Sequence, residues 1–199
     1  SSDEIIKGLK EALAVGSKNA GASASKLGGF YKNEKIKIPF PPEINNVKKS
    51  VEQMGLKPQV TKFVETLNRA AEEAAKEAAP IFVNAIATMN INDGMNILNG
   101  GDRAATSFLE DKTTPELMAK FEPIVKKAIE KVHLTKYWNP VVSSYNQVPF
   151  VKKVNPDLEA YVLERAIAGM FTLVAEEETK IRKDPSARVS DILKKVFGK

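Results

Sequence analysis

Apolar residues recur at steps of three and four along most of the chain, and each such run predicts one face of a helix. The first run is Ile6, Leu9, Leu13, Gly16, Ala20, Ala24 and Leu27, which predicts a helix from Ser2 to about Lys26 with Gly28-Gly29 as its stop. Gly16, Ala20 and Ala24 give its second half a small-residue side that lets another helix approach closely. Pro42 opens a short helix that Gly55 stops, and Lys57 starts the longest pattern, with Val60, Phe63, Val64, Leu67, Ala71, Ala74 and Ala78 as its stripe. The pairs Glu65–Arg69, Arg69–Glu73 and Glu72–Lys76 support that helix locally. Pro80 removes a helical hydrogen bond, so the helix is expected to kink or restart there before Ile81, Phe82, Ala85, Ile86 and Met89 resume the stripe.

Further on, Met95, Ile97 and Leu98 mark a short helix, and Asp102 is the expected cap of a helix over 103–110. Thr114-Pro115-Glu116 predicts a separate start for the helix carrying Leu117, Phe121, Ile124, Val125, Ala128, Ile129 and Val132, because proline is tolerated in a first turn. Tyr137-Trp138-Asn139-Pro140, Asn155-Pro156-Asp157 and Asp184-Pro185 predict three more starts, the middle one opening a long helix to Arg182.

One segment breaks the helical period. In Lys35 to Pro42, Ile36, Ile38 and Phe40 alternate with Lys35, Lys37 and Pro39. Prolines at 39, 41 and 42 forbid a central strand, so this reads as an extended strap with Ile36, Ile38 and Phe40 inward and Lys35 and Lys37 wet. Val148-Pro149-Phe150-Val151 partly repeats it; the two pieces either lie side by side or serve as separate connectors. The fold class is all-α: a single helical domain over 1–199, an irregular multi-helix bundle crossed by extended Pro-rich straps.

Composition narrows the chemistry. The 199 residues hold no cysteine and one histidine, which excludes disulfide frameworks, zinc fingers, cysteine nucleophiles and any site needing two imidazoles. No cofactor and no metal is therefore expected. No apolar run approaches the roughly 18–20 residues of a membrane span. The net charge of +5 permits anionic partners, but the lysines are dispersed among acids with no basic stripe or reading motif, so nucleic acid is not expected as a partner. The start at Ser1-Ser2-Asp3-Glu4 reads as a trimmed one; a leader removed before it leaves membrane anchoring open.

The candidate constellations are weak. Gly16-Ser17-Lys18-Asn19-Ala20-Gly21 fails as a phosphate loop because Ala22 follows instead of a lysine. In Asn90-Ile91-Asn92-Asp93-Gly94 the glycine sits one position early for a calcium loop, so helix capping is favoured. Asn68, Arg69, Glu72 and Glu73 form either a polar site or, preferably, a solvated face. Glu176–Lys180 and Glu178–Arg182 are ideal surface pairs, whereas Glu177 falls in line with Met170, Val174 and Ile181 on the apolar face. A carboxylate there is desolvated unless a base such as Arg69 pairs with it, or else it emerges at the rim. His133 has no nucleophile elbow to join. Tyr137, Trp138, Tyr145, Phe150 and Tyr161 concentrate aromatics in the second half, as core or as the wall of a pocket.

Several motifs together resemble one bacterial family. They are Gly28-Gly29-Phe30-Tyr31, the strap Ile36-Lys37-Ile38-Pro39-Phe40-Pro41-Pro42, Leu67-Asn68-Arg69-Ala70-Ala71-Glu72, Asp93-Gly94 with Ile97-Leu98 and Gly100-Gly101-Asp102, and the run from Pro149 to Leu158. The family is catalogued as domain of unknown function 4197, and the resemblance covers almost the whole chain. It implies a secreted, periplasmic or lipid-anchored protein and carries no activity over. Three functions follow as expectations, the last of them electrostatic attachment to anionic surfaces. The first is a non-enzymatic envelope protein that holds an apolar or amphipathic ligand in a helical cavity shaped by small residues, Met95, Met170 and aromatics, with Arg69, Glu73, Trp138, Tyr145 and Glu177 as ligand contacts. The alternative is an enzyme of unrecognised class using Glu72, Glu73 or Glu177 near Arg69 in a polar cleft.

Overall fold

The computed structural model describes residues 2–131, 146–147, 149–150 and 157–183. Among them the chain is helical and holds no strand: α1 (Ser2–Ser25), a 3-10 turn (Pro42–Ile44), α2 (Asn45–Val51), a π-turn (Glu52–Leu56), α3 (Lys57–Ala75), α4 (Ala78–Ala87), α5 (Ile91–Leu98), α6 (Ala104–Lys131) and α7 (Leu158–Lys183). The all-α expectation holds. The helices α1, α3, α4, α6 and α7 pack together around a core that runs from Leu9 to Val174, with Phe30, Phe82, Phe121, Leu67, Leu109 and Met170 fully enclosed.

The small-residue side of α1 does what its composition predicts. A Cβ on Gly16 would lie 3.2 Å from Glu177 Cβ on α7, and one on Gly21 would lie 3.0 Å from Ala79 Cβ on α4. α1 is thus wedged between α4 and α7 at a separation that larger side chains would prevent. The predicted break before Pro80 falls at Lys76-Glu77, where Lys76 holds the carbonyl that the missing proline N–H would have used. Asn90 and Asp93 form a reciprocal capping box at the start of α5: the Asp93 N–H donates to Asn90 Oδ1 at 2.8 Å and the Asn90 N–H to Asp93 Oδ2 at 3.2 Å. At the start of α7 the cap is Asp157, whose carboxylate accepts the Ala160 N–H at 3.0 Å.

Two expectations are corrected. Thr114-Pro115-Glu116 does not start a helix; α6 runs unbroken from Ala104 to Lys131 with Pro115 and Pro123 inside it. The buried residues Leu109, Thr113, Leu117, Phe121, Val125 and Ile129 follow one another at steps of four, so a continuous face seats α6 against the core. That burial outweighs the roughly 3 kcal/mol that an interior proline costs. Secondly, Asp102 does not cap α6. Its carboxylate lies 3.8 Å from Lys183 Nζ, and the first amides of α6 turn instead to Glu178 of α7. Of the Val148–Val151 repeat, Pro149 and Phe150 are described and lie in turns, Phe150 fully exposed at φ 68°, which fits a connector; Val148 and Val151 lie outside the described residues.

The first strap has the inward residues predicted for it, but of its two expected wet lysines only Lys35 is exposed. Ile36, Ile38 and Phe40 are buried, and Phe40 packs on Phe63 with ring centroids 5.4 Å apart. Lys35 is exposed; Lys37 is half-buried, its ammonium 4.5 Å from the centre of the Tyr31 ring. Among the described residues no strand pairs with the strap. Asn68 takes that place: its Oδ1 accepts the Ile38 N–H at 2.8 Å, and its Nδ2 donates to the Ile38 carbonyl at 2.9 Å. Tyr161 closes the far end, its hydroxyl donating to the Pro39 carbonyl at 2.7 Å.

Candidate functional site

The segment that follows α1 builds a groove. Gly28 takes φ 83°, a conformation that costs other residues energy, and the Lys32 stem lies folded over its bare Cα. A Cβ on Gly29 would meet the Ser23 and Ala24 carbonyl oxygens at 2.4 Å, so only glycine lets the chain turn back this tightly over the end of α1. A chain of turns follows, with the Lys32 N–H donating to the Gly28 carbonyl at 2.8 Å and the Lys37 N–H to the Asn33 carbonyl at 2.8 Å. Phe30 plugs this segment into the core against Gly169 of α7, where a Cβ would stand 2.6 Å from its ring.

The segment is clamped from inside by Glu72 of α3. Its buried carboxylate accepts the N–H groups of Gly28 at 2.9 Å, Phe30 at 3.2 Å and Tyr31 at 3.1 Å, and the Arg69 guanidinium at 2.9 Å. A buried carboxylate is tolerated when its lone pairs are this fully engaged. The expected solvated face is therefore wrong for Asn68 and Glu72, which lie one helical turn apart and face the strap and the post-α1 turn. It is right for Glu73, which is exposed and paired with Lys76 at 3.0 Å.

Between this clamped segment and α7 lies an open groove of about 730 Å³. Ala20 and Ser23 of α1 line one side, Leu173, Glu176, Glu177 and Lys180 of α7 the other, and Lys26, Leu27, Lys32, Asn33, Glu34 and Lys35 the turn. Lys35 Nζ bridges to Glu176 at 2.9 Å, tying the turn to α7. Glu177 accepts Lys180 Nζ at 3.4 Å and Asn19 Nδ2 at 3.4 Å. Lys26 and Lys32 form no ion pair among the described residues.

The sequence-derived candidates divide accordingly. Glu177 emerges at the rim of the groove, the favoured of its two expected readings; it does not pair with Arg69, which is engaged by Glu72 and, at 3.3 Å, by Glu65. Arg69 stands behind the groove wall, acting on it through Glu72. Trp138, Tyr145, Tyr137 and His133 lie outside the described residues. Met170 is sealed in the core and the small residues of α1 are taken up by helix contacts, so neither shapes the expected apolar cavity.

Of the two pairs predicted on α7, Glu178–Arg182 forms at 2.9 Å but is buried instead of on the surface, while Glu176 pairs with Lys35 instead of Lys180. The Glu178 carboxylate accepts the Ala105 N–H at 3.0 Å, the Thr106 N–H at 2.8 Å, the Thr106 hydroxyl at 2.7 Å and Arg182 Nε at 3.0 Å. Glu178 is thus the α6 cap, a negative group on the positive end of a helix. The groove lysines were missed because 26, 32 and 35 are remote from 180 in sequence, and no spacing rule joins them.

A family model described as "Protein of unknown function (DUF4197)" matches residues 1–198. No curated protein and no solved structure matches the chain.

Proposed function

The chain belongs to the DUF4197 family of proteins of unknown function, and we propose that it acts as a non-enzymatic binding protein, holding an amphipathic ligand in the groove between α1, the post-α1 turn and α7. The observation that carries this is the groove itself: about 730 Å³, walled by a segment that Glu72 and Phe30 lock to the core, and lined by both apolar and charged side chains. A preformed concave surface with mixed lining suits a ligand that has an apolar part and a polar end. Leu27, exposed on the turn, supplies the apolar contact, with Leu173 and Ala20 buried in the floor, and the lysines and glutamates supply the polar one. The enzymatic alternative needs a carboxylate free to exchange a proton. Glu72 already accepts four donors, and Arg69 is turned to it and to Glu65.

Of the apolar or amphipathic ligand expected from the sequence, the open groove with its charged mouth favours the amphipathic one. A place in the bacterial envelope, exported to the periplasm, is what the family resemblance implies; fractionation of native cells checks it, and a wholly cytoplasmic chain would end that part. The binding role is tested by native mass spectrometry of the purified protein followed by denaturing extraction. A retained amphiphile is expected, and Ser23→Trp, which places a bulky ring in the groove from an exposed helix position, should release it with the circular dichroism unchanged. Retention that Ser23→Trp does not alter, or no saturable binding of any amphiphile, would overturn it.

A further inference from the structure

We infer that the polar end recognised by the groove is a phosphate ester, held by Lys26 and Lys32; this rests on the groove being the binding site. Of the four lysines lining it, Lys35 is paired with Glu176 at 2.9 Å and Lys180 with Glu177 at 3.4 Å. Lys26 and Lys32 are exposed and without a carboxylate partner among the described residues, so their charge is available to a ligand. Glu34 is the remaining charged group of the lining, exposed on the same turn, and it leaves the unpaired charge at the groove positive.

The type of cation decides the type of anion. No arginine lines the groove, so recognition rests on two separate unpaired ammoniums, whose joint charge matches a doubly charged phosphate ester better than a singly charged carboxylate. Lysine ammoniums are compact point charges that can approach from separate directions, which matches the several oxygens of a tetrahedral phosphate. The two lysines are also held differently. Lys26 follows directly on α1, whereas the Lys32 stem is laid across Gly28, within 2.8 Å of where a Cβ would stand. The glycine thus seats the lysine stem, and Glu72 fixes the glycine through its N–H at 2.9 Å. The carboxylates of Glu176 and Glu177, each neutralised by a lysine, remain able to accept hydrogen bonds from hydroxyl or ammonium groups beside the phosphate.

The test is isothermal titration of the whole chain with octyl phosphate, octanoate and octyl glucoside, all below their micellar concentrations, and with inorganic phosphate as competitor. Octyl phosphate should bind tightest, with an affinity that falls as salt is added. Lys26→Gln with Lys32→Gln should weaken it about tenfold or more, the usual loss for a charge-assisted hydrogen bond. Lys62→Gln with Lys120→Gln, the same charge change away from the groove, should leave it within about twofold. Competition by inorganic phosphate would support the inference with the free ion as a source; octyl phosphate binding without such competition would support it with a lipid-type ester as the source. Octanoate or octyl glucoside binding as tightly as octyl phosphate, or a groove variant indistinguishable from the control, would overturn the phosphate assignment and leave the amphiphile groove standing. No binding of any octyl compound would remove both.

Discussion

Glu72 shows how one side chain can organise a segment forty residues away. It takes three backbone donors and one guanidinium, so its removal strands buried N–H groups that have no other acceptor. Glu72→Ala should lower stability by about 3 kcal/mol in a urea melt, as for a broken buried ion pair. Its neighbour Glu73 is exposed, and Glu73→Ala should stay within about 0.5 kcal/mol. Equal losses would mean that the post-α1 turn holds itself. Tyr161 supplies a pH dependence. Burial raises its pKa above the ordinary value of 10.0; Arg165 lowers it and Glu43 raises it, both more weakly. The unfolded phenol therefore ionises before the folded one. Its contribution to stability is complete below pH 10 and is lost as pH rises through the folded pKa. Urea midpoints between pH 9 and 11 should fall more steeply for the parent chain than for Tyr161→Phe; parallel slopes would remove the Tyr161–Pro39 bond from this account.

At the scale of elements, the clearest tension is in α6. Pro115 is exposed, and it deprives Asp111 of its helical partner without contributing to the core. Pro115→Ala should raise stability by about 1–2 kcal/mol, the interior-proline cost less the entropy returned to the unfolded chain. A thermal midpoint that falls instead would show that the proline fixes the course of the helix. The Pro strap poses the opposite case, an element that its residues describe well. Its period of two was legible because alternate side chains of an extended chain face opposite ways whatever surrounds them. What was not legible was its partner, since an Asn side chain that mimics a strand leaves no periodic trace.

Across the whole molecule, α6 and α7 are joined by Glu178, which carries the α6 N-terminus on a carboxylate of α7, and by Arg182, whose Nη2 also donates to the Ile97 carbonyl of α5 at 2.9 Å. Glu178→Ala should speed hydrogen exchange at the Ala105 and Thr106 amides by tenfold or more, at about 1.4 kcal/mol per tenfold, while leaving the α3 amides slower than both. Exchange unchanged at those two amides would mean that α6 caps itself. The all-helical character, the breaks at Gly28-Gly29 and before Pro80, the small side of α1 and the inward residues of the strap were all readable along the chain. Each is set by local backbone preference or by a periodicity within one element. Glu72, Glu178 and the lysine groove were not. Both glutamates occur where surface pairs are expected, on helices rich in charge, and local spacing assigns them to neighbours three or four positions away. Those neighbours, Arg69 and Arg182, are met, but the remaining partners are backbone amides 41–44 and 72–73 residues distant, brought within hydrogen-bonding reach only when the helices pack. Burial converts an ordinary surface carboxylate into a clamp, because inside the core every donor it meets must be satisfied; which carboxylate is buried depends on how the helices are rotated against each other, a property of the assembled bundle.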